Sequence, residues 1–479
     1  MKVLLSHSYF LHFDKKAYGQ MQPYPPLGTL YAASMIREQG HTLAFFDAML
    51  AADENEIAPL IAQHTPDVVV FFEDNFNYLS KMCLSRMREA CYRMAAIAKR
   101  SGALVIAQGS DPVDHIGEYF ANSIDYVIIG EGEQTLVELL DRLSGKTTTA
   151  FDNIPGIAFQ RHGVIERTAR REVIRDLDAI PFPAWDLVDM EKYRTRWIDK
   201  QGYFSLNLVT TRGCPFHCNW CAKPVYGQVY NARSAASVAE EQLLLKSKYG
   251  AQHIWFADDI FGLKPGWVAQ YADAIEANGA RLPFKIQSRA DLLLQDDTVR
   301  NLARAGCAEV WIGAESGSQR ILDAMDKGIT VEQIYESTRL LKQHGIAVAF
   351  FLQYGYTGET KEDIALTRKM VRELNPDNIG ISVSYPLPGT KFYERVASQL
   401  GPKKNWSTSG DLDVMYRGAY SAAFYRALHA ATHKEYRMRQ SLRSWMHFPI
   451  ALRANLRSMM ALPWYAAGFV VSWARMKVV

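Results

Sequence analysis

Cysteine is scarce in this chain, six among 479 residues. Three of the six, Cys83, Cys91 and Cys307, stand alone, with no spacing that would frame a disulfide scaffold. The opening MKVLLSHSYF lacks the charged, apolar and small-residue succession of a secretory signal. Both absences point to a reducing cytoplasm. A strong charge bias is missing too: the net charge is only +3, which by itself argues neither for nor against nucleic acid. There is no short-period repeat or low-complexity tract, and 48% hydrophobic with 22% charged residues excludes wholesale disorder. Such a chain builds sizeable cores and, at this length, two or three domains.

What is present is alternation. KVLLS (2–6), LAFFDA (43–48), DVVVFF (67–72), ALVIAQG (103–109) and DYVIIG (125–130) read as buried parallel strands. The segments between them carry apolar residues at helical spacing, one ending on Gly40. The pattern predicts an α/β, doubly wound Rossmann-like domain over residues 1–146. Residues 147–201 are polar and proline-bearing and read as a linker, with room for a small hairpin in IAFQRHGVIER. From residue 202 to about 400 six further strand–helix units begin with SLNLVT, HIWFAD, FKIQS, VWIGA, AVAFFL and IGISVS. They suit a partial (βα)6 barrel, whose chemistry gathers at the C-terminal strand ends. Residues 401–479 form a mainly helical, basic and aromatic tail with no acidic residue after Glu435.

The remaining three cysteines fall together in TTRGCPFHCNWCAKP, directly after the first barrel strand: Cys214, Cys218 and Cys221. A structural zinc would require His217 as fourth ligand, at a spacing unlike that of fingers or ribbons. A redox dithiol would use Cys218 and Cys221 and leave Cys214 idle. An iron–sulfur cluster held by three thiolates, with one iron left open, uses all three and carries the most weight. Gly213 and Pro215 permit the tight wrap such a cluster needs, and Trp220 is placed to shield its side.

The C-x3-C-x2-C motif, with an aromatic residue before its third cysteine, resembles that of the radical S-adenosylmethionine superfamily. The resemblance covers Ser205 to about Tyr393. It implies a 4Fe–4S cluster on Cys214, Cys218 and Cys221, whose open iron binds S-adenosylmethionine for reductive cleavage. It further implies that Asp258 and Asp259 in FADDIF contact the amino group of the methionine moiety. Glu315 and Ser316 in IGAESGS would reach the ribose and carboxylate, Arg289 would pair with the carboxylate, and Gly355 in YGYTGET would let backbone approach the ligand.

A doubly wound domain ahead of such a barrel resembles the cobalamin-binding subclass, through PPLGTLYAASMIREQGHTLAFFDA and YVIIGEGEQTLVELL. Gly109, Ser110, Gly130 and Gly132 at strand ends are then the expected support for a corrinoid's nucleotide tail. The D-x-H-x-x-G signature is absent, His115 following Asp114 directly, so cobalt is expected without a histidine beneath it. Methylthiotransferases need three further cysteines here, and Cys83 and Cys91, both on one expected helix, are only two.

The resemblance implies a methyltransferase acting on an unactivated carbon, or an anaerobic oxidative cyclase of the magnesium-protoporphyrin monomethyl ester type. A non-catalytic iron–sulfur sensor is the reading from another class. Expected partners are a small, bulky or lipophilic substrate and an electron donor such as flavodoxin or ferredoxin, with no nucleic acid. The tail has two readings: a helix docked on the barrel, or a peripheral membrane contact through Ser458–Ala474, an uncharged run interrupted by Pro463 and Gly468.

Overall fold

The computed structural model describes residues 1–81, 84–223, 225–403, 405–446 and 461–478. Cys83 lies outside them, as do Ser458, Met459 and Met460 of the uncharged tail run. Five parallel strands, β1 (Lys2–Ser6), β2 (Thr42–Phe46), β3 (Val68–Phe72), β4 (Leu104–Gln108) and β5 (Tyr126–Ile128), stand in the order β2-β1-β3-β4-β5. That is the flavodoxin-like doubly wound order. Alternation along the strands feeds two cores. Leu4, Val69, Val105 and Val127 face the helices Ile57–His64 and Ser85–Arg100, while Leu5, Val70, Ile106 and Ile128 face Leu27–Glu38 and Glu133–Leu143.

The segment expected as a linker also extends this sheet. Its residues form β6 (Ile157–Arg161) and β7 (Val164–Arg167), an antiparallel hairpin laid against β5 with Tyr126 opposite Phe159. The second sheet is parallel throughout. It comprises β8 (Ser205–Leu208), β11 (His253–Phe256), β12 (Phe284–Ser288), β13 (Cys307–Glu315), β14 (Ala347–Tyr354) and β15 (Asn378–Val383), in chain order across the sheet. A two-residue ladder, β9 (Thr211–Arg212) with β10 (Asn231–Ala232), brackets the cysteine loop. Leu206, Phe256, Ile286, Ile312 and Leu352 point outward into the helix-covered core.

The tail is docked. Helix Ala422–Met446 packs against Leu462–Val478 and against the barrel helix Lys361–Leu374 through a buried Arg368–Glu435 ion pair. Arg368 also lies over the Trp473 ring, 4.5 Å from its centroid, and Tyr425 packs under Gly355. Among the described residues no helix is long and apolar enough to cross a membrane.

Candidate functional site

The cysteine loop is fixed at both ends by buried polar groups. Before it, the Asp258 carboxylate, 1% exposed, accepts from the backbone N–H groups of Thr210 and Thr211, both at 2.7 Å, and from both hydroxyls. Burial still pushes its carboxyl up to about 7. The aspartate pair therefore divides its labour. Asp258 is spent on the backbone, whereas Asp259 is exposed; burial first, and the charge of Asp259 in addition, raises the thiols of Cys214 and Cys221. Gly213 has a positive φ, and a Cβ there would collide with the Val229 carbonyl, so the ladder closes over the loop only because this residue is glycine.

Within the loop, Asn219 is the clamp. Its side chain donates to the Ala324 carbonyl at 2.8 Å and to Asp326 at 3.0 Å, and accepts from the Tyr356 hydroxyl at 2.6 Å. Its backbone bonds Met325 and Phe392. Trp220 packs beside Ile321, Met325 and Phe392. The three thiols are free and half-buried; Cys214 feels the charge of Cys218, and Cys221 those of both Cys218 and Cys214. Burial drives Cys221 up to about 12. His217, which a zinc site would require, is exposed. Among the described residues no three His, Cys, Asp or Glu side chains converge on one ion-sized point. Three cysteine thiolates supplied by one short loop are a donor set of the kind an iron–sulfur cluster takes.

The other expected residues divide similarly. Arg289 donates to the carbonyls of Lys327 (2.8 Å) and Gly328 (3.2 Å) and pairs with Asp291, while its guanidinium lies 3.7 Å over Phe216 and 4.0 Å from the Cys218 sulfur. It is thus a cation beside a cysteine, already held, and not a free partner for a carboxylate. Glu315 pairs with the buried Lys327 at 2.8 Å. Ser316 bonds Thr367 and the Ser318 N–H, holding the turn. The Gly355 N–H donates to Glu359 at 2.6 Å, and burial pushes that carboxyl up to about 8.

At the carboxyl ends of β1, β3, β4 and β5 a hydrogen-bond rail runs from strand to strand. Glu73 accepts from Ser8, the Asn75 amide donates to Gln108, and Gln108 donates to the Gly130 carbonyl. Gly109 and Gly132 serve this packing: a Cβ would meet Glu73 at 2.9 Å in the first case and Gln108 at 2.7 Å in the second. Ser110 opens the short helix Ser110–Asp114. His115 pairs with Glu118, and His7, 1% exposed, bonds Asp47 at 3.1 Å.

The two domains meet at Arg212, two residues before Cys214. Its buried guanidinium pairs with Glu131 and, at 2.8 Å, with Glu133, and lies over the rings of Tyr31, Phe76 and Tyr226. Glu131 and Glu133 of GEGE thus hold the residue that leads into the cysteine loop. A second clasp joins the hydroxyls of Tyr78 and Tyr385, and Tyr385 meets Trp406 at 3.8 Å between centroids. Segment 405–409 then crosses back to the first domain, through Asn405 to Arg88 (2.9 Å), Trp406 to Ser85 (2.9 Å) and Ser409 to Asp14 (2.7 Å). Tyr78 keeps 52% of its surface accessible.

Residues 21–140 match the B12 binding domain and residues 208–371 the radical SAM superfamily. The chain is 31% identical over 401 residues to an uncharacterized methyltransferase of Pyrococcus horikoshii, covering 82% of this chain and 83% of that one. It is 26% identical to the anaerobic magnesium-protoporphyrin IX monomethyl ester cyclase of a Synechocystis strain, covering 79% and 75%. Among solved structures, the cobalamin-dependent S-adenosylmethionine radical enzyme OxsB with aqua-cobalamin superposes with a TM-score of 0.76 at 17% identity, over 98% of this chain and 72% of the other. At that identity the likeness concerns the fold.

Proposed function

Because the chain belongs to the cobalamin-binding branch of the radical S-adenosylmethionine superfamily, we propose that it methylates an unactivated carbon of a small, bulky or lipophilic molecule. The cofactors of that membership are a 4Fe–4S cluster that delivers an electron, S-adenosylmethionine that is cleaved and gives methyl, and cobalamin that carries it. Cys214, Cys218 and Cys221 would hold the cluster. Asp259, whose charge already reaches two of these thiols, would face the amino group of the methionine moiety. Arg289 would offset the negative charge of the thiolates from beside Cys218. Glu315 and Lys327, as a neutral pair, would present a carboxylate without a bare charge. Gly109, Ser110, Gly130 and Gly132 would support the corrinoid tail along the strand ends.

The observation that carries the reading is the position of three half-buried thiols at a barrel mouth, bolted through Arg212 to the strand ends of the first sheet. A heteroatom with a lone pair attacks a sulfonium methyl directly; an unactivated carbon does not, and a radical apparatus answers that need. The Tyr78–Tyr385 clasp and the 405–409 segment would keep water from the space between. The electron is expected from a flavodoxin- or ferredoxin-type donor, in the cytoplasm. The 26% identity to a cyclase supports a second reading, ring closure. S-adenosylmethionine with a deuterated methyl group separates the two: label in the product supports transfer, and a product changed in mass without label supports cyclisation.

A further inference from the structure

The inward face of the barrel carries groups that neither the cysteine loop nor the fold employs. Alternation along β14 sends Phe350, Leu352 and Tyr354 into the outer core and turns Phe351 and Gln353 to the lumen. Gln353 is 1% exposed, and neither its amide oxygen nor its amide nitrogen has a hydrogen-bond partner. Among the described residues no other side chain leaves two buried polar atoms unpaired. Ser384, also 1% exposed, has an unpartnered hydroxyl. It follows β15, where Ile379, Ile381 and Val383 face the core, so Gly380, Ser382 and Ser384 face the lumen. Gln353 is in register with Ser382, which sets Ser384 diagonally beside it.

An amide buried without partners bears its full desolvation penalty, and native folds leave few such groups without a reason. One step down the strands the lumen turns aromatic. Trp311 and Phe351 lie with ring centroids 4.7 Å apart at 33°, both only half-buried and neither part of the outer core. Gly380 makes room for them: a Cβ there would approach the Trp311 ring to 3.2 Å. Charges near the rim are matched, Glu315 by Lys327 and Arg289 by Asp291. Lys285 lies near the other end of the lumen, over the rings of Tyr24 and Trp255. The surroundings of Gln353 are thus an aromatic wall beneath a neutral end that both donates and accepts.

We propose that Gln353 and Ser384 are the specificity-determining contacts for the methyl acceptor, and that the acceptor is an uncharged, ring-bearing compound whose polar end both donates and accepts hydrogen bonds. The assignment rests on the methyltransferase reading for the word acceptor, and on the lumen alone for the chemistry of what binds there.

Three isosteric probes test it on the full-length, cluster-reconstituted protein: 2-naphthamide, 2-naphthoate and 2-methylnaphthalene, read by thermal midpoint and by titration. The wild-type protein is expected to bind 2-naphthamide most tightly. Gln353→Leu is expected to lose at least tenfold in affinity for the amide while keeping or improving its affinity for 2-methylnaphthalene. Ser384→Ala is expected to weaken amide binding in the same sense. Without ligand, the midpoint of Gln353→Leu is expected to hold or rise, since an unpaired amide has been removed. Equal amide affinity in Gln353→Leu, preference for the naphthoate, no binding of any probe, or a fall in the ligand-free midpoint would each overturn the proposal. Formation of 5′-deoxyadenosine by the wild-type preparation, with S-adenosylmethionine and dithionite, separately tests the radical cleavage that the methyltransferase reading requires. Its absence alongside intact probe discrimination would sink that reading and leave the binding site standing.

Discussion

At the scale of single residues, the site depends on polar side chains that are already committed. Asn219 ties the cysteine loop to the turn at 324–326, to Tyr356 and to the backbone of Phe392. Replacing it with alanine leaves several of those groups unpaired, at about 1–3 kcal/mol each where they are buried. Asn219→Ala is expected to lower the thermal midpoint and to reduce iron retained after anaerobic reconstitution, measured against the wild type. Glu359 supplies a pH dependence. Burial raises its carboxyl from 4.5 to about 8 in the folded protein, so the folded chain keeps a proton that the unfolded chain releases. Stability from this group is therefore full below about 4.5 and lost as pH rises toward 8, at ~1.4 kcal/mol per unit of the window as an upper bound. Glu359→Gln should flatten that part of the stability-versus-pH curve, measured by denaturant titration from pH 5 to 8.5; an unchanged slope would assign the dependence elsewhere, with Asp258 the next candidate.

At the scale of elements, the joint between the sheets is ionic and aromatic. Arg212→Met strands Glu131 and Glu133 in a buried setting, and breaking such a group costs about 3–5 kcal/mol. The triple change Arg212→Met, Glu131→Gln, Glu133→Gln should recover part of the loss, since no buried charge is then left alone; chemical denaturation of the two variants measures the difference. These elements also show where sequence reading stops. Both sheets, the strand order within the barrel and the cysteine loop were legible, because alternation of apolar runs and the spacing of three thiols are local signals. Arg212 with Glu131 joins residues 81 apart, Asn219 with Tyr356 joins residues 137 apart, and Tyr78 with Tyr385 joins residues 307 apart. No periodicity announces such pairs. The double aspartate is a related case: its members are adjacent in sequence, and only the fold separates Asp258, buried against the Thr210 and Thr211 backbone, from the exposed Asp259.

At the scale of the whole molecule, a B12 binding domain and a radical barrel are tied together by the Tyr78–Tyr385 clasp and the returning segment 405–409. With His7 held by Asp47 and His115 by Glu118, bound cobalt(II) should give an electron paramagnetic resonance signal unaltered when the protein's histidines carry heavy nitrogen; a changed splitting would reveal a histidine ligand. The central claim is that Cys214, Cys218 and Cys221 leave one iron open for S-adenosylmethionine. Its most direct test is anaerobic reconstitution of the wild type and of the triple cysteine-to-alanine variant, with iron, zinc and nucleoside products measured on the same samples. About four iron atoms per chain, with 5′-deoxyadenosine formed by the wild type and neither found in the variant, is the predicted result. Zinc in place of iron, or a cluster that survives the loss of all three thiols, would contradict it.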